Sequence, residues 1–236
     1  MALEIVAEMV DFPINGGTCP GYLARPAEGT YPGVVVLQEW WGLDEHIKDV
    51  TRRFAREGFV ALAPDLYHGK VTAEPDEARK LAMELDRERA LLEVRRAAAY
   101  LKAHPSVSPK RVGVIGFCMG GGIALLTAIH EPELDAAVVF YGRNPDPIDL
   151  VAQIRCPLLG IYGEADQGIP PSEVERLGEA LKRYGKQFEL HIYPGAPHAF
   201  FNDTRPQVYR PEAAADAWSK TLAFFRRHLV GEPAPV

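Results

Sequence analysis

"GVIGFCMGGG", residues Gly113 to Gly122, drives an apolar, β-rich run (Val112 to Phe117) into a cysteine set among glycines. The helix-forming run Ile123-Ala124-Leu125-Leu126 follows at once. Gly116 and Gly120 stand two residues before and after Cys118. This Gly-x-Cys-x-Gly spacing fits a nucleophile elbow, with Cys where Ser more often stands. At such a corner strand and helix backbones pass close together, so the flanking side chains must be tiny. The sulfur projects outward, and the N-terminal amides of the new helix favour a thiolate or a developing oxyanion. A buried structural cysteine beside packing glycines is the competing interpretation. Dinucleotide and phosphate loops fit poorly: there is no Gly-x-Gly-x-x-Gly order, and no Gly-Lys-Ser/Thr follows.

Outward from this corner, strand-like and helix-like runs alternate. Ile5–Val10 and Thr18–Ala24 read as an edge pair. Val34–Gln38, Val60–Ala63, Val112–Phe117, Ala136–Tyr141, Leu158–Tyr162 and Phe188–Tyr193 follow. Most of the later runs lack polar alternation, as do strands buried on both faces of a parallel sheet. Helices are predicted over Glu45–Glu57, Asp76–Leu101 (with a possible break), Met119–His130, Pro171–Tyr184 and Pro211–His228. Leu91, Leu92, Val94, Ala98 and Leu101 are the expected inward face of the second. The alternation implies an α/β fold, with a mostly parallel central sheet and helices on both faces. The 236 residues suit one domain, with a tail-like "GEPAPV" at the end. Working residues should gather at the carboxyl ends of the strands.

Composition narrows the function classes. The net charge of −6 argues against nucleic acid as a partner. The three cysteines, Cys19, Cys118 and Cys156, form no Cys-x-x-Cys pair and no disulfide framework. Cys19 and Cys156 are expected to be structural. The N-terminal "MALEIVAEMVDF" lacks the basic start and apolar core of a signal peptide. No run is long enough to span a membrane. A cytoplasmic monomer or weak homo-oligomer is expected.

A thiol nucleophile needs a base, and the base needs an orienting group. His46, His104, His130 and His228 fall near helix ends, where a dipole or water satisfies an imidazole. His191 alternates within a strand, and His68 in "DLYHGK" could line a cleft. His198, in "YPGAPHAFF" directly after the last strand, is the preferred base. "LLGIYGEADQGIP" supplies the acid, with Asp166 favoured over Glu164 because its shorter side chain is held more firmly. Asp203 follows the histidine and fits the chain order poorly. Nucleophile, acid, histidine is the α/β-hydrolase order.

In "VVVLQEWWGLDEH" a strand ends at Gln38-Glu39-Trp40-Trp41-Gly42. The fold takes one oxyanion amide from the residue after the nucleophile, here Met119, and one from this loop, where Trp40 is the natural donor. Glu39 is the odd member, because a carboxylate beside an apolar cleft costs desolvation energy unless paired. It is either half of a surface salt bridge or a partner of Cys118 or its base.

With these pieces together the sequence resembles the dienelactone hydrolase (carboxymethylenebutenolidase) family, through "QEWWG", "APDLY", "GFCMGG", "FYG", "YGEAD" and "PGAPHAF". The resemblance implies a Cys118–His198–Asp166 triad and a glutamate, Glu39, that pairs with the resting thiol and takes its proton when substrate binds. It implies hydrolysis of a small ester or lactone through an acyl-enzyme, without metal or organic cofactor. Trp41, Tyr141 and Phe200 would wall an aromatic cleft, although Tyr141 could equally be core. Family members of the chlorocatechol pathway read a substrate carboxylate with arginines, one shortly after the catalytic histidine. Here Asn202 stands near that position, and Arg205 is the nearest arginine. A neutral amide cannot replace a guanidinium fork without loss of anion affinity. Arg79, Arg87 or Arg89 could compensate. A broader carboxylesterase or lactonase is the alternative this departure favours, with a non-catalytic ligand-binding hydrolase fold a third.

Overall fold

The computed structural model describes residues 1–231, so 232–236 of the tail-like run lie outside the described residues. The chain groups into two compact units, which divide after Ile115.

The first unit opens with a hairpin of β1 (Ile5–Ile14) and β2 (Gly17–Pro26) in antiparallel register. Asn15-Gly16 makes the turn, and Gly16 takes the left-handed φ of 78° such hairpins need. β2 pairs antiparallel with β4 (Val60–Pro64), which runs parallel to β3 (Tyr31–Leu37). Between β3 and β4 lies α1 (Glu45–Arg56), whose N-cap Asp44 accepts a bond from the Ile47 amide at 3.1 Å. The predicted helix 76–101 is two helices, α2 (Pro75–Glu84) and α3 (Arg87–Ala103). Asp86 breaks it by capping α3, accepting from the Arg89 amide at 3.1 Å. β5 (Val107–Phe117) completes the unit, its last two residues opening the second.

The inward face of α3 differs from the expected one. Leu91 and Leu92 are only half-buried, while Ala90, Glu93, Val94, Ala97, Ala98 and Leu101 are buried. Spacing from Ala90 keeps helical periodicity, and it places one carboxylate, Glu93, in the middle of the buried stripe.

In the second unit α4 (Met119–His130) leads to β6 (Ala136–Phe140), then a 3-10 turn, Ile148–Gln153. β7 (Leu158–Gly163), α5 (Pro171–Arg183), β8 (Phe188–Tyr193) and α6 (Pro211–Phe225) follow. β6, β7 and β8 are parallel neighbours. Every residue of β6 and β7 is buried, as their unbroken apolar runs implied. The eight strands of the described residues are thus mixed and mostly parallel in their pairing, with helices between them.

Candidate active site

Cys118 stands between β5 and α4 with φ 60° and ψ −117°, a sparsely populated conformation for a residue with a side chain. Crowding holds it there. A Cβ on Gly116 would lie 1.9 Å from the Gly120 carbonyl oxygen. The Cys118 amide donates to Phe140 O at 3.1 Å, and its carbonyl accepts the first bond of α4 from Gly122 at 3.2 Å. The corner also needs small residues that the pentapeptide did not disclose. A Cβ on Gly121 would stand 2.5 Å from Phe140 O, and one on Gly142 2.4 Å from the Gly121 carbonyl carbon. The thiol is half-buried, and Met119 opens the helix beside it.

Asp166 lies in the turn after β7, where its side chain is fixed at both oxygens. Oδ1 accepts from the amides of Gly168 and Ile169, each at 2.9 Å. Oδ2 lies 2.6 Å from His198 Nδ1. Glu164, the weaker candidate, is exposed and accepts from the Gly195 amide instead. Asp203 is also exposed. The loops after β7 and β8 are stitched together by backbone: Glu164 donates to Tyr193 O and Ala165 to Ala196 O, both at 3.0 Å. Gly163 permits this approach, since a Cβ there would fall 2.2 Å from Ala196 O.

His198 keeps about a third of its side chain exposed, at 36%, so a ligand can reach the ring. The following residue, Ala199, has φ 67°. The ring packs 4.9 Å from that of Tyr141. Burial alone would lower the imidazole pKa. Hydrogen bonds to Asp166 and Cys118, with the charges of both, overturn that and hold it at about 10.

The expected substrate-contact residues are all buried. Tyr141, with φ 38°, is 1% exposed and Trp41 6%. Phe200 is fully buried, packed 5.7 Å from Tyr141 and 5.4 Å from Tyr193. Asn202 is fully buried too, and its Oδ1 accepts from the Thr204 amide at 3.0 Å and hydroxyl at 2.6 Å. Phe200 and Asn202 present no surface to a ligand, contrary to the sequence reading, and Tyr141 takes the core alternative. Phe200 fills the core, and Asn202 folds its own loop as an Asx turn does.

The strand-end segment of the first unit is equally ordered. Glu39 is 2% exposed, which excludes the surface salt bridge. Its neighbour is His46, whose Nε2 stands 3.9 Å from Glu39 Oε1. His46 is itself 2% exposed and so is not the solvated helix-end imidazole the sequence suggested. The only signal was its place seven residues after Glu39 on the buried face of α1. Gln38 braces the segment, donating to Glu39 O at 3.4 Å and accepting from the Leu66 amide at 3.0 Å. Tyr67 Oη donates to Trp40 O at 2.9 Å, and the Trp40 and Trp41 rings meet edge-on at 5.3 Å. Of the candidate arginines, Arg79 pairs with Asp76 and Arg89 with Glu93.

Residues 19–229 match the model of the dienelactone hydrolase family. A provisionally named carboxymethylenebutenolidase of Methylorubrum extorquens is 38% identical over 241 residues, covering 96% of this chain and 82% of that protein. Among solved structures, a provisionally named dienelactone hydrolase of Klebsiella pneumoniae superposes with a TM-score of 0.88 at 35% identity, covering 95% of this chain and 99% of the other. A dienelactone hydrolase-like promiscuous phosphotriesterase from metagenomic libraries superposes at 0.86 with 26% identity, covering 97% and 99%. The architecture is that of the α/β-hydrolases. No described helix is long and apolar enough to cross a membrane.

Proposed function

The chain belongs to the dienelactone hydrolase family and is a hydrolase of ester bonds, and from that premise we propose that it opens a small lactone through a thioester on Cys118. One observation carries this reading. His198 hydrogen-bonds Asp166 at 2.6 Å on one side, and its proton affinity is raised by Cys118. A thiol beside an oriented imidazole is the arrangement that acyl transfer requires.

The steps follow from proton bookkeeping. The Cys118 thiolate attacks the lactone carbonyl carbon while the protonated imidazole stands by. The oxyanion is received by the amides of Met119 and Trp40, the latter assigned through the family pattern, each donor contributing about 3 kcal/mol. The ring C–O bond breaks, the leaving enolate takes the imidazolium proton from His198, and a thioester remains. Neutral His198 then takes a proton from water. The hydroxide attacks the thioester, the acid product leaves and the thiolate is restored. Asp166 fixes the imidazole tautomer throughout. Glu39 enters through the same pattern, as the group that pairs with the thiol form of Cys118 and takes its proton when substrate displaces it. All the acting groups belong to the protein, so the reading asks for no cofactor.

Asn202 favours a second reading, a broader carboxylesterase or lactonase. Position 202 carries no guanidinium, and the Asn202 side-chain oxygen there accepts from Thr204, so no arginine fork reads a substrate carboxylate at that position. Hydrolysis of cis-dienelactone, an uncharged lactone and an activated aryl ester by wild type and Cys118→Ala separates these. The first reading expects a kcat/KM preference for the charged dienelactone, and the second expects none. Retained turnover in Cys118→Ala contradicts both.

A further inference from the structure

The first unit holds a second set of reactive side chains. Cys19 lies on β2, His68 in the turn after β4, and Glu93 at the centre of α3. Cys19 and Glu93 are both fully buried. Glu93 Oε2 accepts from Cys19 Sγ at 2.6 Å and lies 2.8 Å from His68 Nε2. The other oxygen, Oε1, lies 2.9 Å from Arg89 Nε, one helical turn earlier, and 3.0 Å from His68 Nε2. One ligand atom from each of Cys19, His68 and Glu93 lies within 4.8 Å of the other two.

The turn that presents His68 is held by side-chain hydrogen bonds. His68 has φ 50°, a left-handed conformation that costs a residue with a Cβ. Asp65 holds it there, accepting from the Tyr67 amide at 3.2 Å through Oδ1 and from Gly69 at 2.7 Å through Oδ2. The result turns an imidazole inward onto a buried carboxylate and thiol while leaving 37% of its side chain in solvent.

We propose that Cys19, His68 and Glu93 form a binding site for a thiophilic divalent cation, with Zn²⁺ the best match. Thiolate, imidazole and carboxylate are the ligand types of that ion, and the exposed side of His68 leaves a fourth position for water. Calcium and magnesium take oxygen ligands and suit the set poorly. Arg89 remains on Oε1 and orients the carboxylate, leaving Oε2 to the metal. Binding replaces the thiol proton between Sγ and Oε2. Cys19 loses that proton to solvent, His68 presents a lone pair at Nε2 with its hydrogen on Nδ1, and no electron moves. Ligand atoms on a tetrahedral zinc stand about 3.3–3.7 Å apart, given bonds of about 2.0–2.3 Å. Sγ and Oε2, 2.6 Å apart, must therefore separate by roughly 1 Å through rotation of the Cys19 and Glu93 side chains, while the exposed His68 withdraws by about 0.5 Å from its 2.8 Å contact.

Cobalt(II), added to the full chain carrying Cys118→Ser, tests this without interference from the active-site thiol. A thiolate-to-cobalt charge-transfer band should saturate at one equivalent and disappear when zinc is added. Adding Cys19→Ser should abolish the band, while adding Cys156→Ser should leave it. His68→Ala, a change at the exposed member, should raise the cobalt concentration for half-saturation at least tenfold with the metal-free melting temperature kept. No band in the Cys118→Ser protein, a band that survives Cys19→Ser, or saturation unmoved by His68→Ala overturns the proposal. A Cys19→Ser protein that fails to fold leaves the decision to His68→Ala.

Discussion

Asp166 Oδ2 stands 2.6 Å from His198 Nδ1, while its Oδ1 is pinned by the amides of Gly168 and Ile169. The carboxylate cannot turn away from the imidazole without breaking bonds to the chain. Asp166→Asn keeps the shape but offers the ring an amide that can present N–H where an acceptor is needed. The expected result is a loss of about 10³–10⁴-fold in kcat/KM on an aryl ester, with the fold intact by circular dichroism. A loss under tenfold would count against Asp166 as the orienting group.

The proton affinity of His198 gives a second expectation. Burial opposes the charged ring, and contacts with Asp166 and Cys118 raise its pKa to about 10. Because the folded value lies above the ordinary 6.5, the contribution to stability is complete below about pH 6.5. It is lost as pH rises through about 10. In an NMR titration of wild type, the His198 ring should hold its proton across the neutral range. Cys118→Ala removes two of the raising causes, so the midpoint should move down. An unmoved midpoint would show that thiol and ring do not interact.

Gly163→Ala tests how the acid and base loops are joined. The new methyl group would sit 2.2 Å from Ala196 O, a backbone atom that cannot step aside alone. Overpacking of this kind costs about 1–3 kcal/mol. Activity should fall more than stability implies, because the Asp166 and His198 loops are pushed apart. A melting temperature and kcat both equal to wild type would mean the two loops are not held by this contact.

Much of this was legible in the sequence because it rests on local chemistry. The Gly116-x-Cys118-x-Gly120 corner, the strand-end position of Asp166 and the loop placing His198 are each readable from neighbours in the chain. What escaped depends on distant packing. Gly142 is small because Gly121 passes against it, and the two are 21 residues apart. Asn202 looked like a substituted arginine, yet Thr204 occupies its oxygen. The face of α3 was misread because Leu91 and Leu92 outweighed a carboxylate in any apolar count. The register from Ala90 to Leu101 buries Glu93, and its partners Cys19 and His68 lie on elements no helical pattern connects to it. A glutamate on an otherwise apolar stripe was the available signal.

Glu39 is buried, with His46 at 3.9 Å, so a neutral substitute should be accommodated. Glu39→Gln should shift the pH profile of Cys118 alkylation by iodoacetamide and slow acylation by about 10²-fold, the lower range for a positioned acid–base group. The melting temperature should change little. An alkylation profile that overlays wild type would remove Glu39 from the mechanism.

The central claim is that Cys118 carries the acyl group. Rapid acid quenching during turnover of an activated aryl ester, followed by intact-mass and peptide analysis, tests it most directly. The expected species is one acyl adduct per chain, on the peptide containing Cys118, absent in Cys118→Ala and accumulating in a variant that lacks the His198 ring. An adduct on another residue, or full turnover by protein alkylated at Cys118, would contradict the account.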